Sequence, residues 1–232
     1  MNTNNNSYTI IYAVIMVVVV ALLLALVSSG LKDKQIQNAE LDKKKQILSS
    51  LNIELADQDA AALYDTYIVK ELVVDANAQV LSEVKGEAFA IDIIKEAAKG
   101  LNERKLPIYV AQVDSKTKYI IPIRGAGLWG PIWGYIALDE DKNTVFGTFF
   151  SHASETPGLG AEISLPAFQD MFIGKHILND AREFVSIAVM KAGQKSDKNE
   201  QVDAIAGGTI TSKGVEAMLL NSIGQYQAYL KQ

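Results

Sequence analysis

The chain has 232 residues, no cysteine, two histidines, 49% hydrophobic residues and a formal net charge of −5 at neutral pH. Its length suits one ordinary domain with extras, and the apolar share is enough for a core. The lack of cysteine excludes disulfides, iron–sulfur clusters, thiol nucleophiles, thiolate zinc sites and a lipid anchor on an N-terminal cysteine. The acidic balance offers nucleic acid no basic face. His152 and His176 stand apart without flanking ligands, so no metal site is expected.

Residues 1–9 form a polar leader, and Ile10 to Val27 is a run of 18 residues without a charge. From Tyr8 onward the run is long enough for about 30 Å of helix, the thickness of a bilayer's hydrocarbon core. Tyr8 and Tyr12 stand where amphipathic rings favour the membrane boundary. The small residues Ser28, Ser29 and Gly30 suit a cleaved signal peptide as the alternative. The leader lacks Lys and Arg, however, and the apolar run is long for such a peptide, which favours a retained transmembrane helix over 10–27. Residues 31–53 read as a solvated stalk helix carrying Lys32, Lys34, Lys43, Lys44 and Lys45, with Ile36, Leu41, Ile47, Leu48 and Leu51 along it. Taken alone, these lysines place the body on the cytoplasmic side, and the neighbouring acids Asp33, Glu40 and Asp42 weigh little against them.

The body is expected over 55–232. Residues 68–74 and 78–84 flank Asp75-Ala76-Asn77 as a hairpin, and 89–100 reads as a helix closed by Gly100. Residues 108–113 and 117–123 alternate around Asp114-Ser115-Lys116, and 132–138 and 144–151 flank the polar turn that begins at Asp139. A short helix is expected from Pro166, a strand over 184–191 and an amphipathic helix from Ser212 to the C-terminus. Hairpins outnumber strand–helix–strand units, so the expected class is α+β, with one antiparallel-sheet domain behind the single membrane helix.

Three segments carry chemistry. Gly125-Ala126-Gly127-Leu128-Trp129-Gly130 matches a dinucleotide fingerprint by letter, but Pro131 and a strand follow it where that fingerprint requires a helix. Its glycines read instead as a tight bend placing Trp129 and Trp133 near a cavity. In the stretch from His152 to Ala161, Glu155-Thr156-Pro157-Gly158-Leu159-Gly160 breaks a strand and lets backbone approach a flat ligand, or else is an ordinary surface turn. The stretch from Asp203 to Gly214 sets Gly207, Gly208, Thr209, Ile210, Thr211, Ser212 and Lys213 at a helix start. Free N–H groups there suit a phosphate, with Lys213 adding charge; equally, Thr211 or Ser212 serves as an N-cap with no ligand. No serine-hydrolase elbow is present. Glu54, Asp57, Asp59, Asp139, Glu140 and Asp141 read as solvated turn or helix-start acids, not a catalytic pair.

Taken together and in this order, the N-terminal span, GLWGPIWGYIAL at 127–138, HASETPGLGAEI at 152–163 and DAIAGGTITSKGVEAM at 203–218 resemble the C subunit of the sodium-translocating NADH:quinone reductase. The sister G subunit of the Rnf complex shares the layout, and the fuller GLWGP element favours the quinone reductase. The resemblance implies FMN attached through its phosphate to a threonine in a D-x-x-(S/T)-G-A-(T/S) motif. Here Asp203 stands at the acid, Gly207 at the first glycine and Thr209 at the flavin-bearing position. Ala206 and Gly208 depart from the motif, and both are small. It further implies flavin contacts from Glu155, Thr156, Gly158 and Leu159; Trp129 beside the expected cavity, and Gly208, Ile210, Thr211 and Lys213 at the helix start, complete the candidate cofactor site. Also implied are an FMN transferase acting outside the cytoplasmic membrane, partner subunits, a lipid environment in a bacterial inner membrane and an extracytoplasmic body. On this resemblance the chain relays electrons between NADH and a quinone handled elsewhere, with sodium export coupled to the transfer. The alternatives are an Rnf-type subunit, a stand-alone membrane-tethered FMN carrier, and an anchored module without flavin.

Overall fold

The computed structural model describes residues 6–55, 59–191 and 198–232. The chain divides into two compact units, one up to Lys43 and one from Lys44 to Gln232. The first holds the greater part of helix α1 (Asn6–Ser49), which runs unbroken through Ser28, Ser29 and Gly30 and whose last residues belong to the second unit. It is long and apolar enough to cross a membrane. The stalk expected over 31–53 is thus the continuation of the same helix, which ends at Ser49. The second unit begins at Lys44, earlier than residue 55, because Ile47, Leu48 and Leu51 are fully buried in it.

The second unit continues with α2 (Ala60–Tyr67), β1 (Ile68–Val74), β2 (Val80–Ser82), α3 (Glu87–Ala90), α4 (Ile93–Ala97), β3 (Leu106–Val113) and β4 (Lys116–Ala126). After these come β5 (Pro131–Leu138), β6 (Val145–His152), α5 (Pro166–Gln169), β7 (Ala188–Met190), β8 (Gln201–Asp203), α6 (Thr209–Ile223) and α7 (Gln227–Leu230). Six strands form one antiparallel sheet in the order β2-β1-β3-β4-β5-β6, and β7 and β8 form a separate parallel pair. The α+β class with an antiparallel sheet is therefore observed.

Turn chemistry fixes the register. Asp114 and Ser115 both adopt positive φ (49° and 63°), the backbone of a two-residue hairpin turn, so Val113 pairs with Lys116. Between β5 and β6, Asp141 Oδ1 accepts the N–H groups of Asn143 and Thr144, each at 2.9 Å, while Asp139 pairs with Lys118. Asp59 caps α2 by accepting from Ala61 N at 2.9 Å. Asp59, Asp139 and Asp141 thus hold local turns, caps or an ion pair, and Glu140 Oε1 accepts from Thr117 N at 2.8 Å; Asp57 lies outside the described residues.

Three expectations are corrected. Residues 89–100 do not form one helix: Asp92 Oδ1 accepts from Ile94 N and Lys95 N at 3.0 and 3.3 Å and starts a new one, α4. Gly100 has φ −60° and precedes a 3-10 turn, so it is not a left-handed cap. Over 184–191 only β7 is strand, because Ser186 takes positive φ and the N–H groups of Val185 and Ser186 both bond Ile177 O.

The sheet packs against α6 through Ile121, Ile123, Val215, Met218 and Leu219. Elsewhere Glu71, 2% exposed, accepts from Tyr64 Oη, Gly86 N and Phe89 N at 3.0, 2.9 and 3.0 Å, three donors that satisfy a buried carboxyl group.

Tyr64, Tyr109, Tyr135 and Tyr226 are buried, and burial is the leading cause that pushes each phenol well above its ordinary value of 10.0. At Tyr64 the adjacent Glu71 adds to the push. These phenols hold their protons more tightly folded than unfolded, so their contribution is complete below the unfolded value and is lost as pH rises beyond it. The melting temperature of the detergent-solubilised chain is expected to stay level to about pH 9 and to fall above about pH 10. Phenolate absorbance from these four should appear only with unfolding; full tyrosine titration in the folded chain near pH 10 would contradict this.

Candidate functional site

Helix α6 starts at Thr209, two or three residues before the hydroxyls expected to cap it. Its N-cap is Gly208, which supplies no side-chain bond. The two supposed caps are engaged differently: Thr211 Oγ1 donates to Glu155 Oε2 at 2.6 Å, and Ser212 Oγ accepts from Ile205 N at 3.1 Å. Both residues are buried, whereas Thr209 and Ile210 are placed differently: Ile210 is exposed, and Thr209 lines the cleft described below. The first-turn N–H groups of a helix have no intrahelical partner, so this end presents donors that no cap side chain fills.

Gly207 makes the turn into the helix possible. Its φ is +76°, and a Cβ there would lie 2.7 Å from Leu159 Cδ2. The loop around Leu159 is held by Leu159 N and Ala161 N, both donating to Thr156 O at 3.1 Å. The loop between β4 and β5 is fixed at Trp129, whose N–H donates to Glu155 Oε1 at 2.8 Å and whose carbonyl accepts from Ser154 Oγ at 2.8 Å. With its backbone held at both ends, Trp129 leaves its side chain largely in solvent.

These three loops border a cleft of about 440 Å³ lined by Leu128, Trp129, Glu155, Thr156, Leu159, Gly160 and residues 207–211. That volume lies in the range of small-molecule sites. Leu128, Trp129, Leu159 and Ile210 are 47%, 65%, 42% and 60% exposed around it, a grouping of large apolar side chains that marks a ligand surface. Glu155 is the one carboxylate in the lining, and it is buried. Attraction for an anion therefore comes from the helix N-terminus and its backbone donors.

Of the residues singled out from sequence, the cleft brings together Trp129, Glu155, Thr156, Leu159, Gly207, Gly208, Thr209, Ile210 and Thr211. Gly158 lines a neighbouring groove with Leu165 and Met171 instead. Lys213 turns to Glu216, with Nζ–Oε2 at 2.9 Å, and does not line the cleft. Asp203 lies at the end of β8 outside the lining, and its Oδ1 is buried without a hydrogen-bond partner among the described residues. Trp133 is also elsewhere: its Nε1 donates to Gln46 Oε1 at 3.2 Å. Leu128 and Gly160 belong to the site though sequence reasoning assigned neither to it; the available signal was their place inside the two glycine loops.

The residues present fit a flavin mononucleotide. Apolar side chains offer a surface for a flat ring, Gly207 and Gly208 keep the floor low, and the uncapped helix start offers N–H groups to a phosphate. A family model described as an FMN-binding domain matches residues 127–224, which contain all three loops. The chain is 30% identical to the C subunit of the Na(+)-translocating NADH-quinone reductase of Pseudomonas aeruginosa, over 99% of this chain and 96% of the relative. It is likewise 30% identical to the C subunit of the same reductase from Vibrio parahaemolyticus, over 93% and 90%. Among solved structures, the corresponding C subunit from Parabacteroides distasonis superposes with a TM-score of 0.79 at 46% identity, covering 87% of this chain and 98% of that one. With relatives aligned across nearly the whole of both chains, the chain belongs to the family of C subunits of the Na(+)-translocating NADH-quinone reductase.

Proposed function

We propose that the chain is an electron-relay subunit of a sodium-translocating NADH:quinone reductase and carries FMN joined by a phosphoester to Thr209. The observation that carries this reading is the difference among the three hydroxyls at the start of α6. Thr211 and Ser212 are hydrogen-bonded within the fold to Glu155 and to Ile205 N, while Thr209 stands in the wall of a flavin-sized cleft, at the very first position of the helix. A transferase reaching this turn through the cleft meets Thr209 first, preceded by glycines that do not obstruct it.

Attachment forms a bond from Thr209 Oγ1 to the phosphorus of an activated flavin donor. The bond to that donor's leaving group breaks, and the hydroxyl proton passes to a base of the transferase. Once in place, the linking phosphate would be held by the N–H groups of the first turn of α6. Leu128, Trp129, Leu159 and Ile210 would cover the ring, while Glu155 and Thr211 tie the surrounding loops. When bound, FMN supplies the redox chemistry, taking and giving electrons singly or in pairs, while the protein contributes anchoring, orientation and electrostatics. No side chain of the cleft is required as acid or base.

Chain purified from its native membrane is expected to weigh one FMN less one water above its sequence mass and to fluoresce on a denaturing gel, since a phosphoester survives denaturation. Thr209→Ala should lose both signals completely and stay folded, with a stability change of about 1 kcal/mol or less, because the cap is Gly208 and the tertiary bonds of the turn belong to Thr211 and Ser212. Thr211→Ala should retain the added mass. Mapping of that mass to Thr211 or Ser212 after digestion would move the site, and unmodified wild-type chain would end the reading.

On the same reading the body faces away from the cytoplasm, with α1 packed among partner subunits and lipid. The lysines of 31–53 oppose this orientation by the positive-inside rule, so it rests on where the transferase acts. A reporter fused after Gln232 that matures only outside the cytoplasm should be active; activity of a cytoplasm-only reporter would overturn the orientation.

A further inference from the structure

We propose that Glu155 is a positioning residue. Its carboxyl group sets the place of the Trp129 loop and of the first turn of α6 relative to one another, and thereby how firmly a flavin is held between them. The inference rests on the reading that the cleft holds flavin, but its central contact is a property of the folded chain itself.

Glu155 is 5% exposed and ties its own loop to two other segments. Oε1 accepts from Trp129 N at 2.8 Å, Oε2 accepts from Thr211 Oγ1 at 2.6 Å, and its own N–H donates to His152 Nδ1 at 3.1 Å. The surroundings are shaped to the carboxyl group. A Cβ on Gly127 would lie 2.5 Å from Oε1, and one on Gly160 would collide with Oε2 and lie 2.5 Å from Thr211 Oγ1. The two glycines thus flank one oxygen each, and any larger residue at either place would displace the group. Each oxygen already serves a donor of the protein. The influence of Glu155 on the cleft therefore runs through Trp129, on one wall, and Thr211, on another. Removing the carboxyl group leaves a backbone N–H and a buried hydroxyl to find new partners, which the loops can do only by moving.

Glutamine separates position from charge. Its amide oxygen can accept from Trp129 N–H, and its NH₂ can donate to Thr211 Oγ1, since a hydroxyl serves as donor or acceptor. Glu155→Gln therefore keeps the tie with a neutral group, Glu155→Ala removes it, and Thr211→Val cuts one arm without touching Glu155.

The test uses the full chain in detergent, well below the melting temperature of each variant. On a Thr209→Ala background, which carries no covalent flavin, amide exchange is followed in peptides covering 126–131, the start of α6, and β3 and β4. Glu155→Ala should speed exchange at 126–131 and at the start of α6 by about tenfold while leaving β3 and β4 unchanged. Glu155→Gln should stay within about twofold of the parent, and Thr211→Val should move in the direction of the alanine variant by a smaller factor. On the Thr209 chain, Glu155→Ala should keep the added flavin mass but lose at least about half of the flavin's induced visible circular dichroism, with Glu155→Gln restoring it. No change in Glu155→Ala, acceleration spread equally over β3 and β4, or a glutamine variant no better than alanine would each overturn the proposal. If the alanine variant fails to fold, Thr211→Val carries the same test, and exchange at its parent's rate overturns the proposal. Wild-type chain without added mass would sink the flavin reading, whereas exchange on the Thr209→Ala background judges Glu155 separately.

Discussion

Helix α6 lies against β4 more closely than side chains at the contact would allow, and the cleft depends on that approach. A Cβ on Gly214 would strike the carbonyl oxygen of Ala126, and one on Gly125 would lie 2.7 Å from Met218 Cβ. At the far end of the contact Ser222 Oγ accepts from Arg124 N at 3.1 Å and donates to Arg124 O at 3.2 Å. Apolar burial of Val215, Met218, Leu219 and Ile223 supplies the attraction, but it is non-directional. Glycine contact and serine bonds fix the register along the strand. With that register set, the first turn of α6 falls beside the loop that ends β4 and opens β5. The loop leaving β6 then closes the third side.

The electrostatics of the cleft follow from the same placement. No lysine or arginine belongs to the lining, and Lys213, the nearest candidate in sequence, is committed to Glu216. A cap by Asp, Asn, Ser or Thr would have occupied one of the first-turn donors with its own oxygen. Gly208 leaves them all, so the positive end of the helix is available to an incoming anion. The choice of glycine at the cap is thus a cost to the isolated helix and a gain to the site.

The sheet was legible because its signals are local: alternation along each strand and short polar turns between them, as at Asp114-Ser115. The apolar span was legible by length alone. The start of α6 was misplaced for a physical reason. Thr211 and Ser212 have the composition of caps, and only tertiary structure reveals that their hydroxyls turn to Glu155 and to Ile205 N. The same limit applies to Glu155 itself. Sequence placed it in a glycine loop, but its partners Trp129 and Thr211 lie 26 and 56 positions away. Lys213 read as a phosphate ligand because charge near a helix start is the visible feature, while its pairing three residues on depends on side-chain direction. Asp92 splitting the helix over 89–100 was a cap signal present in the sequence and outweighed by the apolar pattern around it.

The openness of the cleft bears on how a flavin would be kept there. Trp129 and Ile210 are 65% and 60% exposed, so the walls cover a ring without enclosing it. A noncovalent ligand in such a site must offset its lost translational and rotational freedom by contacts alone, and an open rim limits those contacts. A tether at Thr209 removes that demand by making ring docking an intramolecular event at high effective concentration. Affinity then no longer requires burial, and the ring's edge can stay accessible to donor and acceptor groups on neighbouring subunits. A relay needs that access more than an enclosed active site does. On the proposed reading the covalent bond and the open rim are therefore two parts of one solution, and the first turn of α6 joins them by holding the linking phosphate where the apolar walls begin.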